Sequence, residues 1–261
     1  MRFQIFKQNI MTEKKIVKAE GERKPASGPV KVEGNPKLLR IGAAVCWGLA
    51  IVAEILCICI IGDKIGWFET NKLAGIIVTL VVDMLFAIGG SILWKKANHI
   101  DPASEANKTK FWLWNNLGVI ITVIAFAPAI IILLCSKNLD KKTKSIGSVV
   151  AIIAMAIAGL SSYDFNPVSQ EQQQEMYNDT DVDVYWVKTG EKYHTHSDCQ
   201  HLNASTQEEI ICGSIGQAEE AGKKELCKTC YKRDLKEKQI TDVQAEKAVE
   251  TTTETETPMA E

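Results

Sequence analysis

Leu38–Ile61 reads LLRIGAAVCWGLAIVAEILCICII, an apolar run with one charge near its start, Arg40, and one in its interior, Glu54. About 20 residues of α-helix cross the ~30 Å hydrocarbon core of a bilayer, so this stretch predicts a transmembrane helix. Leu73–Trp94 and Trp112–Cys135 reach the same length. Ile146–Ser161 is shorter, at roughly 16–17 residues, but nothing around it predicts a soluble core that could hide it. The expected fold is therefore an α-helical transmembrane bundle of about four helices over residues 38–161.

Composition agrees once it is read along the chain. The averages (46% apolar, 7% aromatic, net charge −2) are those of an ordinary soluble protein. The apolar residues, however, are gathered between Leu38 and Ser161, and both ends are polar. Gly42, Gly48, Gly75, Gly89 and Gly90 suit helices that pack closely in lipid. Trp67, Trp94, Trp112 and Trp114 stand at span edges, where interfacial aromatics collect. Near-zero net charge gives no reason to expect a nucleic-acid partner.

Orientation follows from Lys and Arg in the flanks. Arg23–Arg40 carries five, loop 62–72 two, loop 95–111 four and loop 136–145 four. An N-terminus inside puts nine of these in the cytoplasm against six outside, which favours cytoplasmic N- and C-termini in a cell-membrane protein. The Lys-rich loop 136–145 argues the other way.

Glu54 and Asp83 lie within the first and second spans, at roughly 10 and 15 Å from their shared loop. A charge at that depth costs at least ~2.5–3.5 kcal/mol, so each is expected protonated or turned to the bundle interior. One reading is a proton or cation relay. The other is a pair of neutral acids bonded between helices, with Asn115, Asn116 or Thr79 as partners.

Residues 1–37 are Lys-rich and contain Pro, and predict a disordered tail, with Met11 an alternative start to Met1. Residues 162–180, rich in Gln and acids, predict a flexible linker. Residues 239–261, ending TTTETETPMAE, predict a disordered acidic tail.

Residues 181–238 carry the chemistry. Val184–Lys188 alternates as a strand, Thr189-Gly190 turns, and Lys192–His194 can return antiparallel. Glu209–Cys212 predicts a third strand. Ser214 with Gln217 resembles a capping box that opens a helix through Lys224. Such a short module with few large apolar residues needs a staple. The candidate is His194-x4-Cys199-x27-Cys227-x2-Cys230. One imidazole and three thiolates suit tetrahedral Zn²⁺ and exclude Mg²⁺ and Ca²⁺. A Cys227–Cys230 disulfide is the competing reading, although the βαβ context of a thioredoxin-like dithiol is missing. His196, two residues on, could replace His194. His201 follows Cys199 too closely to share its geometry, and Cys212 ends a strand, where it reads as a packed thiol or as a replacement for a weaker ligand. Cys46, Cys57, Cys59 and Cys135 lie in apolar runs and act as small hydrophobes.

The pattern VYWVKTGEKYH, then DC, then GS, then LCKTC resembles the small Ada-type metal-binding domain in its divergent Cys3His form. This resemblance covers residues 181–238 and implies a β-hairpin and helix module. It also implies that the first ligand is the His of Tyr193-His194, with Cys199, Cys227 and Cys230 completing the set. In DNA-methylation repair proteins that first ligand is a methyl-accepting Cys. An imidazole is no such nucleophile, and nine Lys or Arg against eleven Asp or Glu over 181–238 argue against strong DNA binding. The membrane half resembles only uncharacterised multi-pass bacterial proteins.

These features point to a non-enzymatic membrane protein with a structural zinc module that meets an unknown protein partner or a second copy. An ion- or proton-coupled transporter using Glu54 and Asp83, and a thiol redox module, are the alternatives. Catalytic triads, phosphate loops and Walker motifs are absent.

Overall fold

A computed structural model describes residues 14–65, 71–177 and 181–253, with the side chains of 242–243 and 245–253 excepted. Trp67 and the alternative start Met11 lie outside the described residues. The chain divides into two compact units. One is residues 34–173; the other joins the described residues of 1–33 to those of 174–261.

The first unit is a bundle of α1 (Pro36–Ile61), α2 (Lys72–Ile100), α3 (Lys108–Cys135) and α4 (Lys141–Ser162). Among the described residues these four helices are long and apolar enough to cross a membrane. Three open on side-chain caps. Asn35 Oδ1 accepts from the Leu38 N–H, with Pro36 at the first turn. Asn107 accepts from Lys110, and Asp140 from Lys142 and Thr143. Each cap satisfies helix-end donors that would otherwise lack a partner. The fourth helix runs 22 residues, because its Lys-rich first turn and terminal serines extend the apolar run already seen in the sequence.

Many alanines face inward, packed with Ile60, Ile61, Ile76, Leu80, Phe126 and Leu133, while many other large aliphatics remain exposed. Ala43, Ala50, Ala87, Ala97, Ala125, Ala129, Ala151 and Ala158 are fully buried, whereas Leu38, Leu85, Ile131 and Leu160 are well exposed. Small residues let helix backbones approach closely. Gly90 marks such an approach, since a Cβ there would lie 2.5 Å from Trp47 Cδ1. Gly118 does the same beside Ser91, with a Cβ 2.8 Å from Oγ. At that level Ser162 Oγ donates to Ser91 Oγ (2.8 Å) and lies 3.2 Å from Thr122 Oγ1, so hydroxyls tie α2, α3 and α4 together. Trp94 Nε1 and Asn98 Nδ2 both donate to the Trp114 carbonyl, and the Arg40 guanidinium stacks over both rings.

The second unit contains β1 (Lys15–Lys18), the end of α5 (Gln170–Tyr177), β2 (Val184–Trp186), β3 (Lys192–Tyr193), α6 (Gln200–Asn203), β4 (Glu209–Gly213), α7 (Ile215–Glu220), β5 (Glu225–Leu226) and α8 (Lys228–Thr253). The expected hairpin forms: Tyr185 and His194 exchange both backbone hydrogen bonds, at 2.7 and 2.8 Å. β2 then pairs antiparallel with β4. The capping box at Ser214 and Gln217 is complete. Its helix stops at Glu220 rather than Lys224, because Gly222 takes a left-handed φ of +79° and ends the turn as glycine readily does.

Three sequence expectations need correction. Residues 14–33 are not a disordered tail. β1 pairs in parallel with the free edge of β4, and the Leu226 N–H and C=O bond to Lys31 and Glu33. Val30 and Val32 are buried, so the segment contributes core as well as strand. Residues 162–180 are not wholly flexible either. Ser169 and Gln172 exchange hydrogen bonds as a capping box, which starts α5. Lastly, the segment from 239 is helical as far as Thr253, a continuation of α8.

Candidate metal centre

His194, Cys199, Cys227 and Cys230 are buried, and their ligand atoms all lie within 4.8 Å of one another. Each comes from a different kind of local structure. His194 follows β3 and is fixed by the bridge to Tyr185. Cys199 sits at the N-terminus of α6, where Leu202 and Asn203 N–H groups donate to its carbonyl. Cys227 leaves β5, its N–H donating to the Tyr193 carbonyl at 2.9 Å. Cys230 lies in the first turn of α8. The turn between Cys227 and Cys230 is closed by the Tyr231 N–H on the Cys227 carbonyl (3.0 Å).

The spacing can be tested against a metal. Zn–S and Zn–N bonds of about 2.3 and 2.0–2.1 Å in a tetrahedron put ligand atoms about 3.5–3.8 Å apart. His194 Nδ1 lies 3.6 Å from Cys230 Sγ. Burial holds the His194 imidazole neutral, down to about 4, which is the form that binds a metal. Burial likewise pushes the Cys230 thiol well above its ordinary value. A buried thiol that resists ionisation is the setting in which a divalent cation changes the balance, by supplying the missing positive charge. The donor set fits a closed four-coordinate ion. All four cysteines of the module are free thiols, Cys227 and Cys230 included.

The structure separates the histidines that spacing alone left open. His196 does not join the cluster: its Nε2 lies 2.7 Å from Asp234 Oδ1. His201 is exposed with Nε2 3.1 Å from Thr229 Oγ1. Cys212 stands on β4 between Lys18 and Tyr185, outside the cluster.

Residues not anticipated from sequence surround this centre. Asp234 accepts from the Tyr177 hydroxyl (2.6 Å) and from Thr195 Oγ1, in addition to His196. His196, Asp234 and Glu237 are close enough to suggest a second ion, but Glu237 pairs with Arg233 and both Asp234 oxygens are already engaged. On the other side Glu33 accepts from Lys192 Nζ (2.7 Å) and the Lys228 N–H (3.3 Å), which holds its carboxyl below the usual range. Glu33 lies 159 and 195 residues from those two lysines, so no local spacing could have pointed to it. A cavity of about 540 Å³ opens beside the centre, with Glu33, Lys192, His194, His201 and Cys227 in its wall.

In the bundle, Glu54 and Asp83 are both buried, at 4% and 0% exposure. The partners expected for them are engaged elsewhere. Thr79 Oγ1 donates to the Gly75 and Ile76 carbonyls, Asn115 Nδ2 to Phe111 and Asn116 Nδ2 to Trp112. Glu54 Oε1 instead accepts from the Ala129 N–H of α3 at 2.7 Å. Ala129 follows Pro128, which has no N–H of its own.

No protein-family description, curated protein or solved structure matches this chain.

Proposed function

We propose that the chain is a multi-pass membrane protein carrying a non-enzymatic, structural zinc module that serves protein interaction or regulation. The convergence of His194, Cys199, Cys227 and Cys230 within 4.8 Å carries this reading. Four protein donors saturate a tetrahedral ion and leave no coordination position for water, so metal-assisted hydrolysis is not its task. The Ada-type resemblance agrees with the donor set, and His194 in the first position removes the alkyl-accepting thiolate. The outward-facing large aliphatics of the bundle support a lipid environment.

The pairing of β1 with β4 supports both ends on one face of the membrane, as four crossings require. Lys and Arg distribution favours the cytoplasm for that face.

The test is metal analysis of the full chain in detergent, followed by chelation. One zinc per chain is expected, and its removal should abolish protection of residues 181–238 from hydrogen exchange. A chain that keeps this protection without metal, or that binds none, overturns the reading.

A further inference from the structure

Gly90 against Trp47 fixes the antiparallel register of α1 and α2. Seven residues on along α1 and seven back along α2 bring Glu54 opposite Asp83. The two carboxyl groups interact electrostatically. Among the described residues, Glu54 Oε2 and both oxygens of Asp83 are buried with no hydrogen-bond partner. Buried polar atoms in folded proteins are paired as a rule, and the exceptions gather where a ligand or proton is handled. Among the described residues no Lys, Arg or His lies at this level. The basic residues of the bundle sit at helix ends: Lys37 and Arg40 on α1, Lys72, Lys95, Lys96 and His99 on α2, Lys108 and Lys110 on α3, and Lys141, Lys142 and Lys144 on α4. The buried Cys57 thiol lies one turn from Glu54 on the same helix.

We propose that Glu54 and Asp83 form a proton-binding dyad inside the four-helix bundle, facing carboxyls that take up two protons in succession. The Ala129 N–H on Glu54 Oε1 favours the charged form of that carboxyl, and no donor does so for Asp83. With one proton bound, Asp83 carries the O–H and Glu54 the negative charge. A second proton from the aqueous phase forms an O–H on Glu54 and neutralises the pair; its loss restores the charge. Two facing carboxyls titrate in two coupled steps, as a pair rather than as separate acids. A sodium ion fits less well, because three carboxyl oxygens on two side chains are few for its shell and Thr79 Oγ1 is turned to its own helix. On the far side, the Ser91, Ser162 and Thr122 hydroxyls are the next interhelical polar group, two turns from Asp83 along α2.

The inference takes the bundle as membrane-embedded and is independent of the metal reading. It is tested by infrared difference spectroscopy of the full chain in liposomes, titrated from about pH 5 to about pH 9. A protonated carboxyl C=O signal that decays across this range in two steps is expected, the earlier step lost in Glu54→Gln and the later one in Asp83→Asn. Isotope-labelled aspartate in the unaltered chain assigns the band should a variant not fold. A band that is absent, or that persists unchanged at every pH, overturns the dyad. Loss of the band on replacing choline by sodium at fixed pH overturns the proton in favour of a cation. A chain that does not float with liposomes overturns the membrane reading along with it.

Discussion

Ile16 lies beside Ile210 in a parallel ladder, although the whole four-helix bundle separates them along the chain. The metal module is thus built from two ends, and the four metal-binding candidates are supported by a strand that none of them is near in sequence. Lys14, Lys24, Arg23 and Glu33 add polar contacts to Ser205, Glu220, Asp183 and Lys192 along the same segment. Most of these are exposed pairs worth little each, so the buried valines and the strand ladder hold the strap.

Val32→Asp should loosen the module. Val32 is buried beside the fully buried Leu226, and an unpaired carboxylate there costs on the order of 2–4 kcal/mol. Hydrogen exchange of β4 and β5 in the full chain should rise in step. Unchanged exchange would mean that the strap is an ornament of the fold.

His194→Ala should reduce bound metal to a small fraction of one per chain, while His196→Ala should leave it near one. The distinction rests on His194 Nδ1 at 3.6 Å from Cys230 Sγ against His196 on Asp234. Equal loss in both, measured by elemental analysis after dialysis, would contradict it.

Asp234→Leu removes the acceptor shared by Tyr177, Thr195 and His196. Leaving the buried Tyr177 hydroxyl without a partner should cost about 1–3 kcal/mol. Proteolysis between residues 162 and 181 is expected to accelerate; an unaltered rate would show that Tyr177 is held by packing on Tyr231 alone.

Gly90→Ala places a methyl group 2.5 Å from the Trp47 ring and should destabilise the bundle by about 1–3 kcal/mol. Gly159→Ala, where nothing lies within 4 Å, should be near neutral. Unfolding temperatures in detergent that rank the two in the opposite order would refute the α1–α2 packing described.

Glu171 accepts from the Ser104 hydroxyl and the Glu105 N–H, which brings its carboxyl down to about 2. A lowered value in the folded chain gives stability that is present above the unfolded carboxylate range and lost as pH falls toward 2. Exchange protection of residues 104–106 should therefore fall between about pH 4.3 and pH 2 in the native chain but show no such step in Glu171→Gln.

What could be read from the sequence depended on how far apart the partners were. The four long helices were legible because each carries its own apolar run, and the short fourth run is extended by its Asp140 cap, its lysines and its final serine. The metal ligands were legible because Cys-x2-Cys and His-x4-Cys are short-range signatures. β1 was not, since KIVK is four residues with no apolar–polar alternation and its reason for ordering is an edge supplied by residues 209–212. α5 could have been read: Ser169 and Gln172 form the same capping-box spacing that was recognised at Ser214 and Gln217. The expected partners of Glu54 and Asp83 failed for a local reason. Thr79, Asn115 and Asn116 each find a carbonyl three or four residues back on their own helix, a bond always in reach.

The parallel ladder between Lys15–Lys18 and Glu209–Cys212 has a consequence for biogenesis. The first strand emerges from the ribosome long before its partner and must wait, unpaired, until residues 209–212 have been made. All four long helices are synthesised in that interval, so a chain broken off inside the bundle leaves residues 15–18 with no edge to pair with.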